Sequence, residues 1–436
     1  MQENLKRSIG TRGLSFAIVN LTVGTGIFVL PALASENLGA AAILSYFICG
    51  LAIFFIALCF AEVGSKINIS GGTYAYIETA FGPFAGFLAN TIYLASSFFS
   101  DAATASAIAT TLHFFLPVID TPAIRPLLFL VLFGGLACIN IRGVKSGMRF
   151  VIISTLSKLI PLFLLIALGF GHISMQHLAW NGTPTLHDTG SSTLVLFYAF
   201  MGIEVAVVNG GEFKNPSRTV PLGILYGLSF VLLLYVSVQI VTQGVLGNHL
   251  QDFKEAPLVA VASLVLGNAG KILIVIATAI SMLGYLSGEM LANPRVIYAG
   301  ARDGIFPGVL FKVHPKFETP SYAIVLYAVI GYLLAVFGAF RQLIVLSSAS
   351  VLLIYLGVAF AVIKLRFKKS DVPKKGFTNP GGIAVPVIAT AIIVWILSNL
   401  SEPEIKGILI ALVVLSAIFF SIKLFKKRNY KSLKTQ

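Results

Sequence analysis

Four charged side chains lie deep inside long apolar runs of this 436-residue sequence: Asp101, Lys158, Glu204 and Glu289. Removing a charge from water is costly, so such positions indicate function by default. A carboxyl group there can bind a cationic group or transfer a proton. A lysine can gain and lose a proton as its helix moves, or stand where a sodium ion would bind.

Each of the four charged residues also has an alternative explanation, and this explanation differs from one position to the next. Lys158 would have to reach the membrane surface by snorkelling, and it lies too deep for that. Glu204 would face a water-filled path in an ordinary helix, which is still a functional role. Asp101 and Glu289 would pair with a basic residue or lie near an interface. For Glu289 this alternative stays open, since it precedes Arg295 by only six residues.

Two apolar runs also carry residues that favour an interruption of the helix. Gly24-Thr25-Gly26 lies in the middle of the first run, and Tyr198-Ala199-Phe200-Met201-Gly202-Ile203-Glu204 lies in the sixth. Glycine weakens a helix interior, and an opened helix exposes N–H and C=O groups, which a membrane tolerates only where they line a cavity. The alternative at Gly24 and Gly26 is close helix packing through small residues. Interruptions at matching places in two halves of a chain point to a transporter binding site.

The composition indicates that these residues lie in a lipid bilayer. Hydrophobic residues make up 57% and charged residues 11%, with a mean hydropathy of +0.91. A soluble domain carries about 25% charged residues, so a soluble enzyme, a fibre and a disordered chain are excluded. The sequence has no Walker motif, no dinucleotide-binding glycine pattern and no HExxH. We therefore expect neither an enzyme nor an ATP-driven pump, and no cofactor or metal site.

A helix needs about 20 apolar residues to cross the hydrocarbon layer. This criterion predicts twelve spans, at 14–35, 40–64, 82–116, 126–141, 149–171, 190–211, 220–246, 269–299, 321–338, 342–365, 383–399 and 405–425.

The distribution of basic residues orients these spans. The net charge of +14 would suggest a nucleic-acid partner in a soluble protein, but here the basic residues occupy short loops and the tail. If the N-terminus is cytoplasmic and the spans alternate, only five of the 31 basic residues fall outside: Arg125, Lys254, Lys271, Arg341 and Lys406. The positive-inside rule therefore predicts a multi-pass protein of the cytoplasmic membrane with both termini cytoplasmic and no nucleic-acid partner.

A series of short motifs runs over about residues 10–330: Gly24-Thr25-Gly26-Ile27-Phe28 with Pro31, Ser70-Gly71-Gly72-Thr73-Tyr74-Ala75-Tyr76, Phe81-Gly82-Pro83, Gly202-Ile203-Glu204, Lys214-Asn215-Pro216 with Arg218 and Val220-Pro221, Pro294-Arg295-Val296-Ile297-Tyr298-Ala299, Ala301-Arg302-Asp303-Gly304 and Thr319-Pro320. In this order the motifs resemble those of the amino acid–polyamine–organocation (APC) transporters, in particular bacterial L-amino acid permeases and exchangers.

The resemblance implies an all-α integral membrane protein of the LeuT type, with a five-plus-five inverted repeat and 12 transmembrane helices. The transport core would be residues 1–365, with repeats at about 14–171 and 190–365. Two peripheral helices would occupy 383–425, and a basic cytoplasmic tail would occupy 426–436.

The resemblance also implies the site. The N–H groups of Thr25, Gly26 and Ile27 would hold an amino acid carboxylate, at the positive end of a broken helix. Carbonyls near Thr22, Tyr198 and Met201 would meet the α-ammonium. Tyr198 matches an aromatic gate. Side-chain-facing positions would be Ser96, Ser97, Asp101 and Glu289, and Lys158 matches the lysine that replaces the second sodium ion in several relatives.

The function implied is sodium-independent secondary amino acid transport by alternating access, either as proton symport or as amino acid exchange. Lys158 would carry the coupling, with Glu204 as a second titrating group. Related antiporters have no acid at the positions of Asp101 and Glu289. The two acids of this chain would suit a cationic substrate or proton coupling. The alternatives are a polyamine or cationic amino acid antiporter, and an amino acid sensor without transport. The expected partners are the amino acid, a proton in the symport version, and the lipid bilayer, with the oligomeric state left open.

Overall fold

The computed structural model describes residues 10–67, 72–113, 115–142, 148–180, 182–204, 213–254, 256–302, 304, 306–367 and 377–432. The N-terminal residues 1–9, Ser70 and Gly71 of the second motif, and Asp303 lie outside these ranges. The helices are α1 (Thr11–Thr22), α2 (Gly26–Ala34), α3 (Ile43–Lys66), α4 (Gly72–Phe81), α5 (Pro83–His113), α6 (Ile124–Ile141), α7 (Met148–Gly169), α8 (Leu186–Phe197), α9 (Pro216–Leu246), α10 (Pro257–Arg302), α11 (Ser321–Phe337), α12 (Phe340–Phe367), α13 (Ala384–Leu397) and α14 (Glu402–Ser432). Short 3-10 turns occupy Gly39–Ala42, Pro117–Asp120, Phe170–His172, Met175–Leu178, Tyr198–Phe200, Gly247–Phe253 and Gly308–Phe311.

The first apolar run folds as two helices. α1 ends at Thr22, α2 begins at Gly26, and the axes are bent by 59°. Within the break, the Gly24 N–H donates to the Thr22 carbonyl over 2.8 Å. The predicted opening is therefore confirmed. The small-residue packing is present as well, since a Cβ on Gly26 would lie 2.7 Å from the Cα of Ala199.

The sixth apolar run is interrupted too. α8 ends at Phe197, one 3-10 turn follows, and Gly202 has φ 113°, in the left-handed region that favours glycine. A Cβ on Gly202 would lie 2.9 Å from the Leu21 carbonyl oxygen. Glycines in both runs thus let the two breaks approach each other within backbone contact.

The remaining helices surround this crossing. α9 packs against α1 and α3, and α5 packs against α4, α10, α11 and α12. α10 bends at Gly267 (φ 65°), so its longer part starts where the eighth apolar run was predicted to begin. α14 lies at the edge, where Phe419 and Phe420 pack their rings on Phe84 of α5.

The lengths and hydropathy of the helices fit a membrane. In the described part of the chain, six helices are long and apolar enough to cross one, and the bent pair α1–α2 makes a seventh. Three shorter apolar helices lie at Leu156–His172, Ser321–Phe337 and Ala384–Leu397. The chain is therefore an all-helical, multi-pass membrane protein.

Candidate functional site

A cavity of about 310 Å³ lies where the two breaks meet. Its lining comes from α1, both breaks, α5, α7, α10 and α12, and it extends along α10 from Ser281 to Ala292. Ten of the predicted site residues line it: Thr22, Thr25, Gly26, Ser96, Ser97, Lys158, Tyr198, Met201, Glu204 and Glu289. Asp101 and Ile27 are not among the lining residues.

One wall of the cavity consists of backbone at the helix breaks. The first N–H groups of a helix have no intrahelical acceptor, and no side chain caps the start of α2. The N–H groups at Gly26 and Ile27 are therefore available to an anion, and the positive end of the helix dipole favours one. This is the geometry that carboxylate binding requires.

A tyrosine from outside the two broken runs ties the breaks together. The Tyr235 hydroxyl of α9, fully buried, lies 2.8 Å from the carbonyl oxygens of both Thr22 and Ala199, which share its single proton. The Thr22 carbonyl also accepts from Gly24 N–H. Two donors thus already lie at this carbonyl, so of the predicted carbonyls we assign those near Tyr198 and Met201 to a bound ammonium.

Hydroxyl groups close the cavity beside Tyr198. Its hydroxyl accepts from Ser100 Oγ over 3.1 Å and lies 3.2 Å from Thr104 Oγ1. Thr104 Oγ1 in turn lies 3.0 Å from Thr25 Oγ1, and Ser100 Oγ lies 2.8 Å from the Tyr285 hydroxyl. The first break, α5, the second break and α10 are thus linked by one chain of hydroxyls.

The opposite wall presents side chains, and Glu289 is its charged member. Its Oε2 accepts from Asn293 Nδ2 over 2.6 Å, and the same nitrogen donates to the Tyr327 hydroxyl over 2.7 Å. Tyr327 donates to Asp101 Oδ2 over 2.8 Å. Asp101 is fully buried behind the wall, and its Oδ1 has no hydrogen-bond partner among the described atoms. The two predicted acids are therefore joined by a chain of hydrogen bonds rather than lying side by side.

Ser96 is buried with its hydroxyl turned to α12. It lies 3.1 Å from both the Oγ and the carbonyl oxygen of Ser347. Its hydroxyl thus fixes α5 against α12, and Ser97 and Ser100 line the same face of the cavity.

Lys158 and Glu204 lie at the two breaks. Lys158, 7% exposed, donates from Nζ to the Asn20 carbonyl near the end of α1. Glu204, 6% exposed, accepts from the Gly202 N–H over 3.0 Å and from the Tyr355 hydroxyl of α12. Each charged residue therefore holds one interrupted run against a continuous helix, α7 or α12.

Sequence reasoning missed several residues of the site. Tyr285 and Asn293 lie four residues before and after Glu289, a helical spacing that puts them on its face. Tyr235 and Tyr327 carry no local signal, because their partners are far away in the chain. Within the described ranges, no group of three or more His, Cys, Asp or Glu residues could hold a metal ion.

Comparison with known proteins agrees with this geometry. The model of the amino acid permease family matches residues 9–427. The branched-chain amino acid permease BcaP of Bacillus subtilis (strain 168) is 26% identical, over 99% of this chain and 95% of its own length. The methylthioribose transporter of the same organism is also 26% identical, over 96% of this chain and 94% of its own length. The serine/threonine exchanger SteT of that organism is 26% identical, over 89% of each chain.

These relatives are permeases, transporters and exchangers. Their alignment spans nearly the whole chain, and the family match includes every residue that lines the cavity. The chain therefore belongs to the amino acid permease family, within the APC superfamily of amino acid transporters.

Proposed function

We propose that the chain is a sodium-independent secondary transporter of amino acids that works by alternating access in the cytoplasmic membrane. The observation that carries this proposal is the pair of facing helix breaks, with free N–H groups at the start of α2 and Lys158 against the end of α1. Broken helices at matching positions bind zwitterions and ions in transporters.

The proposed architecture is twelve spans in a five-plus-five inverted repeat, with both termini cytoplasmic. The break between α1 and α2 lies in the first predicted span and the break after α8 in the sixth, which is the separation that such a repeat requires. The core would comprise residues 1–365, with repeats at about 14–171 and 190–365. The peripheral helices would occupy 383–425 and the tail 426–436.

The proposed substrate-binding set keeps the predicted residues, with Thr22 and Asp101 acting indirectly. The Thr22 carbonyl would hold the break through Tyr235 and the Gly24 N–H group. Ile27 would contribute its N–H group, and Asp101 would act through Tyr327 on Glu289. The full set is Thr22, Thr25, Gly26, Ile27, Ser96, Asp101, Tyr198, Met201 and Glu289.

One state of an alternating-access cycle must be sealed on one side of the site. The hydroxyl chain at Tyr198 supports such a seal, and a second layer lies beyond it. Glu36, just after α2, binds Lys254 over 2.7 Å and Arg341 over 2.8 Å, joining α2 to the segment after α9 and to α12. Both layers would lie on the side opposite to Arg295 and Arg302, which the charge distribution predicts to be cytoplasmic.

Lys158 is the proposed coupling group. Its Nζ donates to the Asn20 carbonyl between α7 and the end of α1, where an ammonium would supply one positive charge. In proton symport, Lys158 would release and bind a proton as α1 moves, and Glu204 would be a second titrating group. In amino acid exchange, Lys158 would remain a fixed charge.

The test is uptake of a panel of radiolabelled amino acids into proteoliposomes, with and without an inward proton gradient and with and without internal amino acid. Stimulation by the gradient alone supports symport, and uptake only with internal substrate supports exchange. Lys158→Ala should abolish the gradient stimulation, whereas Lys406→Ala, at a side chain 68% exposed on α14, should not. Unchanged pH-dependent uptake by Lys158→Ala would contradict the proton version. A panel that is bound but never accumulated would favour the sensor alternative.

A polyamine or cationic amino acid antiporter is the second candidate, and Glu289 favours it. The carboxylate lines the cavity, and no lysine or arginine of the described residues forms an ion pair with it. A substrate ammonium or guanidinium would supply the missing partner. Competition with amino acids whose carboxylate is blocked separates the two candidates: amides should compete with a polyamine carrier and fail against an amino acid carrier.

A further inference from the structure

A second concave region lies on the outer surface of the bundle, between α1, α7 and α9. It is a groove of about 710 Å³ with Arg12 and Arg218 among its lining residues and with Phe16, Tyr226 and Phe230 exposed along it. These three side chains are 47%, 58% and 38% exposed. Aromatic side chains exposed on a membrane-spanning bundle face lipid, so the groove opens to the bilayer.

The charge of the groove is concentrated at one end. Arg12 lies in the first turn of α1 and Arg218 in the first turn of α9, and both are exposed. Neither first turn contains an acidic residue, and neither helix start has a side-chain cap. An arginine at the positive end of a helix dipole is unfavourable by itself, and here two such ends share one groove.

None of the described residues supplies a compensating anion. Among the ion pairs of the described residues, none involves Arg12 or Arg218. The two guanidinium groups can each offer a planar pair of N–H donors, which matches the oxygens of a phosphate. The charged end of the groove is therefore complementary to a phosphate group.

The rest of the groove changes from charged to apolar along the helices. On α9, Arg218, Leu222, Tyr226 and Phe230 follow one another at intervals of four residues and all line it. At 1.5 Å per residue this stripe is about 18 Å long. On α1, Arg12, Phe16 and Val19 repeat the same order from charge to apolar side chain.

We propose that this groove binds one anionic phospholipid, with the phosphate between Arg12 and Arg218 and an acyl chain along Tyr226 and Phe230. A free phosphate ion would use only the charged end and leave the apolar stripe unused. A neutral lipid would leave the two arginines unpaired. A phospholipid with a net negative charge satisfies both parts, and basic recesses between membrane helices are known to bind such head groups.

The place of the groove gives the lipid a structural consequence. α1 packs on α9 by close contact, since Cβ atoms at Gly223 and Gly227 would lie within 3.0 Å of Leu14 and Ile18 side chains. Leu159, next to Lys158 on α7, also lines the groove. A bound lipid would therefore touch all three helices around the bond between Lys158 and the Asn20 carbonyl.

Binding can be tested on the full-length protein without any measurement of transport. Phosphatidylglycerol added to the protein in neutral detergent should raise Tm by about 2 °C, and phosphatidylcholine should not. Arg12→Gln/Arg218→Gln should lose the rise. Lys312→Gln/Lys316→Gln, which removes two charges between α10 and α11, should keep it. An equal rise in the arginine variant, or an equal rise with inorganic phosphate, would overturn the lipid assignment.

A fluorescence measurement covers the case in which the double variant does not fold. Trp180 and Trp395 are the two native tryptophans, and Phe16→Trp adds a probe in the groove. Brominated phosphatidylglycerol should quench the added signal about twofold more than brominated phosphatidylcholine. Phe420→Trp on peripheral α14 should be quenched equally by both lipids. Equal quenching of Phe16→Trp by the two lipids would contradict the proposal, while the transport function would stand.

Discussion

The two walls of the cavity differ in the chemistry that they offer. The wall formed by the breaks offers backbone N–H and C=O groups, held by close glycine contacts and by Tyr235. The wall formed by α5 and α10 offers side chains: the serines of α5, Tyr285 and Glu289. Backbone groups recognise what all amino acids share, whereas side-chain groups differ from one transporter to the next.

This difference would account for relatives of equal similarity to this chain whose names give different amino acids. A branched-chain amino acid permease and a serine/threonine exchanger are each 26% identical to this chain. The backbone wall depends on glycines and on helix geometry, and the side-chain wall can change by single substitutions. Substitutions in the first wall should therefore abolish transport, and substitutions in the second should change its selectivity.

The largest effect is expected from Gly26→Ala. The added Cβ would lie 2.7 Å from the Cα and Cβ of Ala199, which are not free to move away, so the two breaks must separate. A displacement of about 1 Å in a binding site can cost about 10²-fold in rate. We expect uptake in proteoliposomes to fall by about that factor.

The matched control is Gly134→Ala on α6, where an added Cβ meets no atom within 4 Å. It should keep its uptake, with both variants monodisperse in detergent. If Gly26→Ala transports at the wild-type rate, the backbone contact between the breaks is not needed for transport.

Tyr235→Phe should have the next largest effect. It leaves the carbonyls of Thr22 and Ala199 without the hydroxyl that joins them, but it adds no steric conflict. A hydrogen bond to an uncharged group contributes about 0.5–1.5 kcal/mol, so we expect uptake of every substrate to fall by up to about 10-fold. Tyr332→Phe on α11 is the control. A loss confined to some substrates would instead indicate that Tyr235 determines selectivity, as expected of the wall formed by α5 and α10.

Glu289→Gln should change selectivity rather than abolish transport. Hydrogen bonds to charged groups are worth about 1.5–3 kcal/mol, so the ratio of cationic to neutral amino acid uptake should fall by about 10-fold or more. Glu402→Gln, at a side chain 76% exposed on α14, removes the same charge without touching the cavity. An unchanged uptake ratio would show that Glu289 does not determine selectivity.

Tyr327→Phe tests the same wall one layer back, with a smaller effect. It breaks the link between Asn293 and Asp101 but leaves Glu289 in the cavity. As a positioning residue, Tyr327 should affect KM for a cationic substrate by about threefold while kcat stays near wild type. A fall in kcat with unchanged KM would instead indicate a role in the conformational cycle.

Much of this arrangement follows from the sequence, and the remainder has a physical reason for being hidden. The membrane spans are visible because lipid selects apolar residues over about 20 positions. The breaks are visible because Gly24, Gly26 and Gly202 are local signals. The two tyrosines are not visible, because Tyr235 joins carbonyls 213 and 36 residues away and Tyr327 reaches Asp101 across 226 residues.

The position of Asp101 illustrates the same limit for a residue that was identified. An acid inside an apolar run indicates function, but whether it faces a cavity depends on the rotation of its helix. Ser97 and Ser100 of α5 line the cavity, and Asp101, one residue further on, is turned toward α11. A rotation of about 100° per residue separates a side chain in the cavity from one behind its wall.

The smallest effect concerns the far end of the backbone wall, where Glu36 anchors the segment after α2. The hydrogen bond from Lys254 and the charge of Arg341 hold the pKa of Glu36 below its usual value of 4.5, against the opposing effect of partial burial. A carboxyl group with a lowered pKa stabilises the folded state above its unfolded pKa, and this contribution disappears as the pH falls through the lowered value. Glu36→Gln should therefore lower Tm at pH 7 and have progressively less effect below about pH 4.5.

The size of this effect should be modest, since ion pairs near a surface contribute about 0.2–1 kcal/mol. Thermal unfolding in detergent at pH 7 and at about pH 3 measures it, with Glu402→Gln as the control for a more exposed pair. A destabilisation by Glu36→Gln that is equal at both pH values would show that the carboxylate charge is not what anchors α2. The anchor would then be Gln251, whose side-chain amide donates to the carbonyls of Ser35 and Glu36 over 3.2 Å and does not titrate.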